Sequence, residues 1–203
     1  MSKSYYEAEA GLYKICIGQM GALVCTVLQK GLALHFLPAI AMFIFSIVVL
    51  VGLFQAGKEI KGCRVAFILS ILEIMIRICT ILFVRGKEES VTAFSTIMEI
   101  LLAMLVICFV SFSVSRSMIE LGRVKEAKWG KAVGIITATT YTLSMIIAVL
   151  SIAPSVRIVT VPTALIVGIV KMVSGILYFI FVYKSFHTLT LPPVINYNSR
   201  QSI

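Results

Sequence analysis

Apolar residues in this chain come in long runs rather than in alternation with polar ones. Five runs, Phe36–Phe54, Val65–Val84, Val91–Val114, Ala132–Ile152 and Pro162–Tyr183, each approach or exceed the roughly 20 residues with which a helix crosses about 30 Å of hydrocarbon. Leu12–Leu28 is a weaker sixth run, placed first and interrupted by Lys14 and Gln19. It reads as a spanning helix, with a helix lying in the membrane interface as the alternative. Backbone amides in lipid are satisfied within a helix or a closed barrel, and uninterrupted runs of this length select helices. The expected fold is therefore all-α: a polytopic transmembrane bundle of six helices, or five if the first is interfacial. Short connections make successive helices antiparallel neighbours. Pro38 and Pro162 stand in the first turns of their helices, where a missing N–H costs nothing.

A weak internal repeat points to three stacked helical hairpins. Leu53-Phe54-Gln55-Ala56-Gly57-Lys58 resembles Met118-Ile119-Glu120-Leu121-Gly122-Arg123, 65 residues further on. The competing explanation is local, since glycine followed by a cation is a common way to end a helix. Residues 1–187 read as a single transmembrane domain. From Thr188 to Ile203 the chain loses its apolar period, includes Pro192-Pro193, and reads as a disordered polar tail.

Composition agrees with lipid as the solvent. Of 203 residues, 60% are hydrophobic and 13% charged, against roughly a quarter charged in a soluble domain. Mean hydropathy is +1.04. The net charge of +9 does not imply nucleic acid, because the cations lie in short gaps between apolar runs rather than along a polar face. They set an orientation instead. Outside the membrane interior, twelve Lys and Arg fall on the side of both termini and four on the other. The positive-inside rule then puts both termini in the cytoplasm, with the plasma membrane as the expected location. Tyr5, Tyr6, Tyr13, Trp129 and Tyr183 fall near that same interface. The start of the chain lacks the features of a cleaved signal peptide, so the first segment is expected to be retained.

Ionisable groups at membrane depth are costly and tend to be functional. Glu73 and Arg77 straddle the middle of the third run, Glu99 lies on the fourth and Lys171 near the middle of the sixth. Glu73 and Arg77 are spaced i, i+4, and Ser70 and Thr80 extend the same face. Such a stripe must face protein or a water-filled cavity. Gly168, Lys171, Ser174 and Tyr178 form a matching stripe on the sixth helix, Thr137, Tyr141 and Ser144 one on the fifth, and Ser95 and Glu99 one on the fourth. Gly18 and Ala22 make a small-residue pair that lets a neighbouring helix approach the first.

These stripes carry two readings. In the first, Glu73, Arg77, Glu99, Lys171, Ser70, Ser174 and Tyr178 line a polar mid-membrane layer that binds a small solute or ion. The chain is then a transport component: a carrier, a channel subunit or a substrate-binding membrane subunit. In the second, the two Glu balance Arg77 and Lys171 and the network only fixes helix register. That describes a non-catalytic membrane accessory, an assembly factor or an immunity protein. Partners are the lipid bilayer, a small-molecule or ion ligand, and a membrane protein or second copy of the chain.

Known intramembrane chemistries lack their residues. The chain has no Asp, which removes the metal-binding cluster of alcohol phosphotransferases, and no His within an apolar run, which removes a rhomboid-like protease. Glu88-Glu89 lacks the Arg expected four residues on, where Ala93 stands, so an abortive-infection type of protease does not fit. Cys16, Cys25, Cys63, Cys79 and Cys108 form no CxxC pair and there is no Walker loop. An enzyme, a metal site and a cofactor are not expected.

Overall fold

The computed structural model describes residues 5–31, 36–80, 82, 89–150 and 157–189. Among these the chain forms six helices and no strand: α1 (Tyr6–Gly31), α2 (Phe36–Ala56), α3 (Lys61–Cys79), α4 (Glu89–Glu120), α5 (Val124–Leu150) and α6 (Arg157–Leu189). The polar tail expected from residue 188 lies largely outside the described residues; α6 continues through Leu189. Each helix packs against the next in sequence, α6 returns to α1, and α4 also touches α6. The result is a ring of antiparallel helices, a polytopic membrane bundle.

Phe94–Glu120, Val124–Leu150 and Ile166–Leu189 are each long and apolar enough to cross a bilayer, and Ile40–Ala56 of α2 is apolar over a shorter described length. Glu73 and Arg77 interrupt α3, and Glu7, Glu9 and Lys14 load the start of α1. Large apolar side chains such as Phe43, Ile44, Ile68, Ile135 and Ile169 are exposed on the outside of the ring. That surface suits lipid and would be untenable in water.

The helices outrun their apolar runs at the end that carries both ends of the described chain, and there they are tied together. Lys58 pairs with Glu7 at 3.1 Å. Glu59 accepts a hydrogen bond from the Ala8 amide at 2.7 Å, satisfying one of the four donors left open at the start of α1. Lys14 donates to Gln55 at 2.8 Å, and the Tyr5 hydroxyl donates to Glu120 at 3.0 Å. Lys184 lies 5.1 Å from the centre of the Trp129 ring, and Tyr13 of α1 meets Phe186 of α6 edge-on at 5.6 Å. The cation-rich loops, the interfacial aromatics and both ends of the described chain thus share one end of the bundle, called the basic end below.

α1 is a full member of the ring and does not lie across its end. It runs antiparallel to α2 at close range because glycines remove the side chains between them. A Cβ at Gly52 would stand 2.6 Å from the Gly11 carbonyl oxygen, and one at Gly18 would stand 2.8 Å from that of Phe45. The small-residue signal at Gly18 therefore marks a true helix crossing, continued at Gly11 and Gly52.

The two similar hexapeptides end their helices differently. Gly122 is left-handed, with φ of 78°, and closes α4 as a Schellman turn: Arg123 N–H donates to Met118 O and Gly122 N–H to Ile119 O, both at 2.9 Å. Gly57 keeps a helical bond to Leu53 O at 2.9 Å, and the chain turns three residues later at Ile60. The likeness in sequence is not a likeness in turn geometry.

Packing is uneven along the bundle axis. The fully buried side chains Leu12, Ile15, Leu53, Cys63, Val110, Val114, Met118, Val133 and Phe181 fill its basic half. Among the described residues, the rest of the ring borders a cavity.

Candidate functional site

The cavity measures about 720 Å³, within the roughly 300–1,000 Å³ of small-molecule sites. All six helices contribute: Gln19 from α1, Ser46 from α2, Ser70, Glu73 and Arg77 from α3, Glu99 from α4, Tyr141 from α5, and Lys171 and Tyr178 from α6. The remaining wall is mostly aliphatic, from residues such as Ile74, Ala103, Ile107 and Ile180. It begins where the basic-half core ends, so it has a packed floor beneath it.

α3 supplies the electrostatic centre. The i, i+4 spacing lets Arg77 Nη2 meet Glu73 Oε1 at 3.0 Å within one helix face. Arg77 Nε also reaches Glu99 Oε2 on α4 at 3.8 Å, an ion-pair contact too long for a good hydrogen bond. One guanidinium thus lies between two carboxylates on adjacent helices. Lys171 provides the second cation: its ammonium sits 4.5 Å from the centre of the Tyr141 ring, a cation–π distance. Arg77, Glu99 and Lys171 are all close enough for their charges to act on Glu73. The four formal charges sum to zero in a single layer.

Tyr178 of α6 borders the same space. Its side chain is 1% exposed, and its hydroxyl makes no hydrogen bond of ordinary geometry. Gln19 of α1 is placed to hydrogen-bond it at looser geometry. A buried hydroxyl without a partner costs about 1–3 kcal/mol, and with almost none of its surface accessible this one belongs to the packed wall of the cavity rather than to its open space.

Of the seven site residues expected from sequence, Ser70, Glu73, Arg77, Glu99, Lys171 and Tyr178 line the cavity. Ser174 does not; it is buried and its hydroxyl donates to the Lys171 carbonyl of its own helix at 2.9 Å. Thr80, Thr137 and Ser144 likewise bond backbone carbonyls one turn back. Gln19, Ser46 and Tyr141 were not among the seven. Ser46 is the one polar side chain between Phe36 and Phe54, and that isolation was the available signal. Tyr141 was visible in the stripe on α5, but without Lys171 over its ring it had no stated role. Among the described residues no three His, Cys, Asp or Glu side chains group as metal ligands, and the five cysteines are free thiols. His187 packs among the rings of Tyr183 and Phe186 at the basic end.

No family model, curated protein or solved structure matches this chain. What the site can do follows from its own chemistry. It offers carboxylates, cations and aliphatic walls around one volume.

Proposed function

We propose that the protein is a membrane transport component that binds a small solute in the polar layer formed by Glu73, Arg77, Glu99 and Lys171. As a carrier, channel subunit or substrate-binding membrane subunit, it would sit in the plasma membrane with both termini cytoplasmic, following the cation bias of its loops. It binds without transforming its ligand. The observation that carries this reading is the cavity itself, a volume of about 720 Å³ walled by every helix and containing the mid-membrane charges. A network needed only for helix register would be packed shut.

A second reading draws on the ion pairs. Arg77 links α3 to α4 through Glu73 and Glu99, and the layer is formally neutral, as suits a structural network in a non-catalytic accessory or assembly protein. The two are separated by native mass spectrometry of the protein released from its own membrane, together with Lys171→Ala, Glu99→Ala and the double variant. Transport predicts a retained small molecule, lost from both single variants while folded yield persists. The accessory role predicts no retained molecule, and a folded yield that falls in the single variants and partly recovers in the double one.

A further inference from the structure

We propose that the cavity opens sideways into the bilayer between α1 and α6, and that its occupant is a membrane-soluble amphiphile of zero net charge; this rests on reading the cavity as a ligand site. The wall is the first ground. Met20 of α1 belongs to an outward stripe with Tyr13, Ile17 and Val24, and is 51% exposed, yet it also lines the cavity. Ile176 of α6 is likewise part of an outward stripe with Ile169 and Val173, is 39% exposed, and lines the same cavity. A side chain that belongs to both the outer surface and the inner wall marks the rim of an opening. α1 and α6 are neighbours in the ring, so the two rims face one gap.

The spacing of the helices is the second ground. α1 and α6 meet at the basic end through Tyr13 and Phe186. Further along α6, a Cβ added at Gly175 would find nothing within 4 Å, although Gly175 lines the cavity. The pair meets at the basic end, and at the level of the charges α6 borders open space at Gly175.

The third ground is chemical. Glu73, Arg77, Glu99 and Lys171 already balance, so a net charge on the occupant would stand uncompensated at membrane depth, where ionised groups cost several kcal/mol. The aliphatic wall takes an apolar body. The loosely held Glu99 carboxylate, 3.8 Å from Arg77, and the Lys171 ammonium suit a head group that both donates and accepts hydrogen bonds. A long-chain alcohol or a zwitterionic head meets these terms, and a fatty acid or an alkylammonium does not.

The test is photolabelling in proteoliposomes with a diazirine-bearing long-chain alkanol, mapped by peptide mass spectrometry. Its carboxylate and trimethylammonium analogues of equal chain length are run alongside. The alkanol is expected to label the inner wall at Ile100, Ala103 or Ile107 and to do so several-fold more than either charged analogue. Met20→Trp with Ile176→Trp, both at exposed positions with room for the larger ring, should plug the gap. Inner-wall labelling should then fall several-fold while labelling of outward residues such as Ile135 and Ile146 stays constant. Inner-wall labelling that survives the plug overturns the lateral route and leaves the ligand site standing. Stronger labelling by a charged analogue overturns the neutral occupant. Labelling confined to outward residues with all three probes overturns the inference together with the reading beneath it.

Discussion

Arg77 on α3 stands 3.8 Å from Glu99 on α4 while holding Glu73 of its own helix at 3.0 Å. The guanidinium therefore keeps two carboxylates from repelling each other at membrane depth. Arg77→Ala leaves both uncompensated. Breaking a fully buried pair costs about 3–5 kcal/mol; Arg77 is 39% exposed, so screening brings the expected loss to about 2 kcal/mol. Thermal unfolding in detergent should show it, and adding Glu73→Gln and Glu99→Gln to Arg77→Ala should restore most of the stability. An unchanged midpoint for Arg77→Ala would mean that the bridge carries no energy.

The α1–α2 crossing makes a sharper stability prediction. At Gly52 an added methyl meets the Gly11 carbonyl oxygen at 2.6 Å and the Ile15 amide nitrogen at 2.8 Å, backbone atoms that cannot rotate away. Gly52→Ala should destabilise by about 1–3 kcal/mol, the range for overpacking. Gly168→Ala on α6 meets nothing within 4 Å and should be neutral, or stabilising by up to about 1 kcal/mol through helix propensity. The two variants compared by thermal unfolding test the glycine crossing, since a general intolerance of glycine replacement would lower both.

Much of this was legible in the sequence, for identifiable reasons. Charges at membrane depth are rare enough that Glu73, Arg77, Glu99 and Lys171 drew attention without any structure, and helical spacing placed Ser70 with them. Neutral polar residues were harder, because a hydroxyl on a helix can bond its own backbone. Ser174 and Thr137 do so, and Ser46 does too, to Met42 O at 2.9 Å, although Ser46 also lines the cavity. The position of the cavity left no trace in hydropathy, since the helices are apolar on either side of it. It comes from which side chains face inward together, and that is a property of six helices at once. The hexapeptide likeness said nothing of turn geometry, because Gly57 and Gly122 share a sequence context but not a backbone conformation.

Orientation gives a prediction independent of the site. Residues near the start of α1 and the end of α6 share the basic end, as the contact of Tyr13 with Phe186 requires. With the cations of Lys58, Lys61, Lys125, Lys128 and Lys131 on that end, a fluorescent protein fused after Ile203 should fold and fluoresce, and a phosphatase fused there should be inactive. The same fusions made at residues 85–87 should show the opposite pattern. Fluorescence at both positions would contradict an odd number of crossings between them.

Tyr178 tests how the wall of the cavity is packed. Its side chain is 1% exposed, and its hydroxyl makes no hydrogen bond of ordinary geometry. Tyr178→Phe removes that group and keeps the ring, so stability should rise by about 1 kcal/mol. A hydroxyl with almost no accessible surface cannot touch a bound molecule, so the stabilisation that a ligand confers on the folded state should be unchanged. Tyr178→Phe should therefore unfold at a higher temperature than the parent both after exhaustive delipidation and in native membrane extract. A fall in both would mean that the hydroxyl is held within the protein, with Gln19 of α1 placed to hold it.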